Sequence, residues 1–298
     1  MPVRIATAPV SWGIMEVEGW ARQKSFVEVL DEMVQAGYEG TELGPYGFLP
    51  TDPAVLKTEL QKRSLTLLGA FVPLPLGHRK RHPEAMRSAM EVARLLAAGG
   101  APFLVLADEM NPMRMDIAGS AKPGDGFDQE QWDSAASIVT AIAKEAKQLG
   151  LRSVFHHHAG TFIETPGELD RLLDLTDPSL LGVCFDTGHY FYGGGDPVSF
   201  ARSNASRIWH LHLKDVRPTV LEQVRRDRIP YLDAIRRGVF CELGEGAVDL
   251  AAVIRELNAG GFNGWAVFEQ DVDPTIPGIT PMASAARSRE YLRRVAGV

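Results

Sequence analysis

Cysteine is scarce in this sequence: Cys184 and Cys241 are the only two, with no CxxC spacing. That gives no support to a disulfide framework or a thiolate metal cluster, and the sequence predicts buried free thiols in a reducing compartment. Positive charge is also short, with 31 Lys and Arg against 38 Asp and Glu and a net charge of −7. No basic excess is available to neutralise phosphates, so nucleic acid is excluded as the expected partner. No apolar run approaches the roughly 20 residues needed to span a bilayer, which excludes a membrane helix. No GxGxxG follows the first strand pattern and no GK[ST] occurs, which weakens dinucleotide and P-loop readings. Low-complexity tracts and interdomain linkers are missing as well, so one domain over residues 1–298 is expected. Met1-Pro-Val-Arg-Ile runs straight into a strand pattern. The sequence therefore predicts no signal peptide and a cytoplasmic location.

What is present is a regular alternation. Short apolar runs at Val3–Ala8, Tyr38–Leu43, Leu65–Phe71, Phe103–Ala107, Leu151–His158, 181–186, 208–215 and Trp265–Glu269 read as strands. Helical patterns separate them: Trp20–Ala36, Asp52–Arg63, His82–Ala98, Gln131–Gln148, Pro166–Leu175, a helix opened by Asp196-Pro197, Asp249–Gly260 and Ala283–Val295. Strand–helix alternation implies a parallel sheet, and eight units in about 300 residues predict an α/β fold of the (β/α)8 TIM-barrel type. Two segments break the rhythm. Met110–Phe127 is rich in Gly and Pro and reads as a long active-site loop. The charged, partly helical stretch at 217–240 reads as an inserted lid or interface element, a candidate contact in a homodimer or higher homo-oligomer.

In a barrel the C-terminal strand ends meet at one mouth, and here they carry ligand-type residues. The second unit delivers Glu42, the fourth Asp108 and Glu109, and the fifth His156, His157 and His158. The sixth delivers Asp186 and His189, the seventh His210, His212 and Lys214, and the eighth Glu269. Six of the eight histidines fall in these segments. A single histidine on an apolar strand is usually a satisfied core residue, but a cluster of this kind is not expected by chance. Alternate strand residues share a face, so Asp186 joins Cys184 and Gly182 on one, and His210, His212 and Lys214 on another. Mixed Asp, His and Glu donors suit Mn²⁺, Co²⁺, Zn²⁺ or Fe²⁺. Trp12, Tyr46, Phe48 and Phe71 lie near the mouth, either to stack on the apolar face of a sugar or polyol or simply to pack.

Six segments together carry a resemblance: Pro9-Val-Ser-Trp-Gly13, Gly40-Thr-Glu-Leu-Gly-Pro45, His156-His-His-Ala-Gly-Thr161, Asp186-Thr-Gly-His189, His210-Leu-His-Leu-Lys-Asp-Val-Arg217 and Gly244-Glu-Gly246. Over nearly its whole length the chain resembles the xylose-isomerase-like barrel family of sugar isomerases, epimerases and dehydratases, and within it the inosose-dehydratase branch. The resemblance implies a divalent metal, Mn²⁺ or Co²⁺ first, with Zn²⁺, Fe²⁺ and Mg²⁺ as alternatives. It implies ligands at Asp186, His212 and Glu269. The family's usual fourth ligand, a Glu ending the fifth strand, is replaced here by His156, with Glu164 in the following loop as the other candidate. It further implies that His158 and His189 face the substrate, with Glu42, Lys214 and Arg217 around the rim. Trp12, Glu42, His189 and Arg217 are thus the expected substrate-binding residues, and His158, Glu269 and Lys214 the expected proton-transfer residues. The implied activity is loss of water from a keto-inositol or related keto-polyol through an enediolate. A sugar or keto-sugar isomerase or epimerase on the same site is the alternative.

Overall fold

The computed structural model of the protein describes residues 3–17, 19–20 and 24–297. Its strands are β1 Arg4–Thr7, β2 Gly40–Thr41, β3 Thr66–Leu67, β4 Phe71–Leu74, β5 Phe103–Asp108, β6 Arg152–His156, β7 Leu181–Asp186, β8 Ile208–Leu213, β9 Asp215–Val216, β10 Phe240–Cys241 and β11 Trp265–Phe268. Nine of them form one parallel sheet in the order β3-β2-β1-β11-β8-β7-β6-β5-β4. The two ends of that order are one stave: β3 lies in the predicted strand Leu65–Phe71, the chain breaks at Leu68-Gly69-Ala70, and β4 starts at the last predicted residue and runs on to Leu74. The break bonds to both neighbours: Leu68 N–H donates to Thr41 O and its own carbonyl accepts from Phe103 N–H, while Gly69 O accepts from Leu43 N–H and Ala70 O from Val105 N–H. The stave serves both sides, so the sheet closes into the eight-stave (β/α)8 barrel that the sequence predicts.

Each stave is apolar because it is covered on both faces. Phe155, Val183, Phe185, Leu211 and Leu213 point outward into one large core with helix residues such as Leu169, Leu172, Phe200 and Val253. Inside, the bottom of the barrel is filled by Phe103, Val105, Val154 and Cys184, with Trp209 against them. Gly182 makes that plug possible, since a Cβ there would lie 2.2 Å from the Trp209 ring. No described helix is long and apolar enough to cross a membrane.

Three differences from the sequence reading bear on the site. The helix expected over Trp20–Ala36 runs from Phe26 to Gln35, because Ser25 and Glu28 form a capping box that starts it there; residues 21–23 lie outside the described residues. The fifth predicted strand ends at His156, leaving His157 and His158 in the turn beyond it. The long loop at 110–127 carries a short helix, Pro112–Asp116, capped by Asn111. The segment at 217–240 holds two helices, Pro218–Asp227 and Tyr231–Arg236, closed by antiparallel pairing of β9 with β10. Their apolar faces, including Leu221, Val224, Tyr231 and Ile235, pack with Met15, Tyr192 and Phe240 into a second core above the strand ends.

Candidate metal centre at the barrel mouth

Four predicted ligands converge. His156 ends β6, Asp186 ends β7, His212 lies on β8 and Glu269 follows β11, and one donor atom of each lies within 4.8 Å of the others. His156 Nε2 is 3.5 Å from Asp186 Oδ2, and His212 Nδ1 is 3.9 Å from the same oxygen and 3.2 Å from Glu269 Oε2. A tetrahedral site with bonds of about 2.0–2.2 Å has edges of roughly 3.3–3.6 Å, close to these separations. Asp186 Oδ2 and His212 Nδ1 are buried and lack any hydrogen-bond partner. Orphaned buried donors and acceptors are rare and call for an explanation, and a divalent cation supplies one. Asp186 is ready to bind it as an anion: burial alone would push its carboxyl up, but the Lys214 ammonium and the nearby histidines hold it well below the usual carboxylate range. Cys184 also lies beside His156 and His212, where burial pushes its thiol up to about 12.

Glu42 sets the tautomer of His212. Its Oε1 accepts from His210 Nε2 at 2.6 Å and from His212 Nε2 at 2.9 Å. Burial works against charge on His212, but Cys184, Glu269 and Glu42 hold its pKa well above the usual histidine range. A bound cation would take the place of the Nδ1 proton while Glu42 keeps the proton on Nε2, an arrangement typical of metal-bound imidazole. Burial works to raise the Glu42 pKa, but His212 and His210 outweigh it and keep the carboxylate ionised.

Glu164 does not join the ring. Its two carboxylate oxygens accept from Gly119 N–H and Gly160 N–H, each at 2.7 Å, and so tie the long loop to the turn after β6. His156, not Glu164, lies with Asp186, His212 and Glu269.

Lys214 is fully buried beside the ring. Its ammonium lies 2.7 Å from Asp271 Oδ1, 2.9 Å from His189 Nε2, 3.2 Å from Glu269 Oε2 and 3.4 Å from Asp186 Oδ2. Burial works against its charge, yet Asp186, Asp271 and Glu269 together hold it protonated. Gly188 in the Asp-Thr-Gly-His segment lets the lysine pass, since a Cβ there would sit 2.6 Å from Lys214 Cγ. His158, His189 and Asp271 also cluster with ligand spacing, but the Lys214 ammonium already occupies that cluster. Tyr231 completes it from the inserted segment, its hydroxyl donating to Asp271 Oδ2 at 2.8 Å.

These groups line a cavity of about 450 Å³, together with His158, Phe71, Glu16, Asp108 and Glu109. His158 Nδ1–H donates to Ala159 O at 2.7 Å, which leaves Nε2 as a free acceptor. Burial, with His156 and Lys214 nearby, holds its pKa well below the usual histidine range, so the ring is neutral. Glu16 is exposed to solvent where it lines the cavity.

Of the four expected substrate contacts, three fall elsewhere and one touches the cavity. Trp12 is buried away from the cavity, because the short helical turn Pro9–Trp12 swings it back toward the helix Phe26–Gln35, where its Nε1–H donates to Glu32 at 2.7 Å. Arg217 lies outside the cavity, bonded to Gly238 O at 3.2 Å, because the β9–β10 pairing turns the chain away just after Lys214. His189 stands behind Lys214 rather than on the cavity wall. Glu42 touches the cavity, but the oxygen that bonds at all bonds to the two histidines. Of the open aromatics, Phe71 lines the cavity, edge-on to His156 at 5.6 Å, whereas the Tyr46 hydroxyl points to Glu91. Three residues were missed. Asp271 was findable, two positions after Glu269; Tyr231 and Glu16 carry no local signal.

Comparison with known proteins agrees with this architecture. Residues 30–295 match a protein family described as xylose isomerase-like TIM barrel. The inosose dehydratase of Geobacillus kaustophilus (strain HTA426) is 33% identical over 296 residues, covering 99% of this chain and 95% of that one. The inosose dehydratase of Klebsiella pneumoniae (strain 342) is 32% identical over 302 residues, covering 99% and 98%. Among solved structures, the IolI protein with a bound zinc atom superposes with a TM-score of 0.73 at 15% identity, covering 99% of this chain and 98% of that one.

Proposed function

Since the chain belongs to the xylose isomerase-like TIM barrel family, we propose that it is a dehydratase that removes water from a keto-inositol or a related cyclic keto-polyol. The observation that carries this reading is the ring of His156, Asp186, His212 and Glu269, three of which (His156, His212 and Glu269) line a cavity that also holds His158 and Lys214. The full-length identity to inosose dehydratases supports the choice of reaction over the isomerase or epimerase alternative.

The four ring residues hold the metal, for which Mn²⁺ or Co²⁺ is proposed. Bound there, a divalent cation supplies Lewis-acid polarisation of a ketone oxygen. The remaining chemistry falls to the chain. His158 is neutral with Nε2 open to the cavity, and serves as the base for the proton α to the ketone. Glu269 is the second candidate base, since His212 and Lys214 overcome its burial and keep it ionised. The fixed Lys214 ammonium stabilises the negative charge that develops on the substrate oxygen. It also stands as the proton donor to the β-hydroxyl, whose C–O bond breaks as water leaves. The reaction is redox-neutral: one C–H and one C–O bond break, and one C=C bond and one water form.

Mass spectrometry tests the proposal directly. Metal-stripped protein is incubated with 2-keto-myo-inositol, with and without Mn²⁺ or Co²⁺. Metal-dependent loss of one water is expected. An unchanged mass under every metal sinks the dehydratase reading, and an isomeric product of that mass moves it to isomerase or epimerase.

A further inference from the structure

The cavity has two unlike halves. At the strand ends it is polar, formed by His156, His158, His212, Lys214, Glu269 and Asp271. Above them, Val10, Ile14, Met15, Met110, Met115 and Leu232 form an apolar wall. Three separate segments supply it: the turn after β1, the loop after β5 and the inserted segment. All of these but Ile14 belong to or pack against the second core, and Ile14 belongs to the large one, so packing fixes the wall in place. The other acids at this level are engaged. Asp108 accepts from Leu76 N–H and Phe162 N–H, Glu109 is paired with Arg81, and Glu42 holds two histidines. Glu16 is the acid left facing the cavity.

That arrangement is a poor match for a ring hydroxylated at every carbon but one. Each hydroxyl buried against the wall without a partner weakens binding by roughly five- to a hundredfold. The volume also leaves space. A keto-inositol has about a dozen heavy atoms, and even at water's share of roughly 30 Å³ each it needs less than about 360 Å³. The cavity offers about 450 Å³.

We infer that the natural substrate is a cyclic keto-polyol bearing a small apolar substituent, such as an O-alkyl group, on the side of the ring remote from the metal ligands. The substituent lies against Met115, Leu232 and their neighbours, and the polar half of the ring lies on the histidines, Lys214 and the metal ligands. This substrate class rests on the dehydratase reading, but its test does not need turnover.

Isothermal titration calorimetry on the Mn²⁺-loaded protein compares inositol with its mono-O-methyl ethers. Neither carries a carbonyl, so neither reacts. One ether is expected to bind at least about fourfold tighter than inositol, the value of a single buried methylene. The near-isosteric polar substitutions Met115→Gln and Leu232→Asn should each reduce that preference to parity. Equal or weaker binding of every ether by the unsubstituted protein overturns the inference, and so does a preference that survives in whichever variants fold. A clear ether preference without turnover of 2-keto-myo-inositol or its ethers sinks the dehydratase reading and leaves the substituent pocket standing.

Discussion

Removing the Glu42 carboxylate should weaken metal binding without touching a ligand. Glu42 accepts from His210 and His212 through one oxygen, and that second bond holds a proton on His212 Nε2, which leaves Nδ1, facing Asp186 and Glu269, as the nitrogen for the metal. Substituting such a partner typically reduces metal affinity 10- to 100-fold. In Glu42→Ala both imidazole N–H groups lose their acceptor in a buried site at the cavity floor. Two unsatisfied buried donors at about 1–3 kcal/mol each give a stability loss of roughly 2–6 kcal/mol. His212 is also freed to flip its tautomer, so the upper end of the affinity range, near 100-fold, is expected. Glu42→Gln keeps an acceptor oxygen but loses the charge, and about tenfold is expected, with most of the stability retained. Competition against a chromogenic chelator measures the metal Kd, and urea unfolding of the metal-free proteins measures stability. A folded Glu42→Ala protein with a metal Kd within twofold of the parent would refute the reasoning.

Four further outcomes follow from the geometry. Asp186→Ala or His212→Ala should abolish metal binding and turnover together, as read by elemental analysis and product formation; full metal content with full activity contradicts the site. Trp12→Phe should cost about 1 kcal/mol through the lost bond to Glu32, while kcat and KM stay unchanged; a raised KM would restore Trp12 to the substrate site. Tyr231→Phe leaves Asp271 Oδ2 without its donor beside Lys214, so a roughly tenfold fall in kcat is expected at unchanged metal content, and steady-state kinetics on the two proteins decides it. Glu164 gives a pH test. Burial raises its pKa to about 7 from 4.5, so the folded state holds the proton more tightly than the unfolded one. Its contribution is complete below pH 4.5 and is lost as pH rises through 7, at most about 3 kcal/mol. Glu164→Gln should flatten that part of the stability–pH curve in denaturant titrations, and an unchanged slope contradicts the shift.

The barrel and the metal ring were legible because both depend on short-range pattern. Eight apolar runs fixed the staves, and a ligand at the end of a stave needs only the position of its strand. Asp186, His212 and Glu269 were expected from the resemblance, and the structure brings them together with His156. What failed were directions that one turn of backbone decides. Trp12 follows β1 by a few residues, and the Pro9–Trp12 turn sends its ring to Glu32 on the helix Phe26–Gln35 and not to the cavity that Ile14 lines. Arg217 lies three residues beyond Lys214, yet a two-residue antiparallel pairing removes it from the mouth. Tyr231 was out of reach for a different reason. Its contact with Asp271 spans 40 residues of sequence and arises only when the inserted helices fold onto the barrel, which no local spacing records.

The seam between β1 and β11 has a consequence for how the protein is made. Thr7 and Phe268 meet across 261 residues of sequence, so the earliest described strand cannot find its second neighbour until nearly the whole chain has left the ribosome. Pairing over such distances is slow, and a waiting strand edge is a template for wrong partners. Glu269 arrives with that same late strand. A nascent chain can gather His156, Asp186 and His212 early, but the fourth side of the ring comes only with the strand that shuts the barrel. Chemistry therefore cannot begin on an open barrel, and a chain stalled before residue 265 is left with an unpaired edge and a three-sided site.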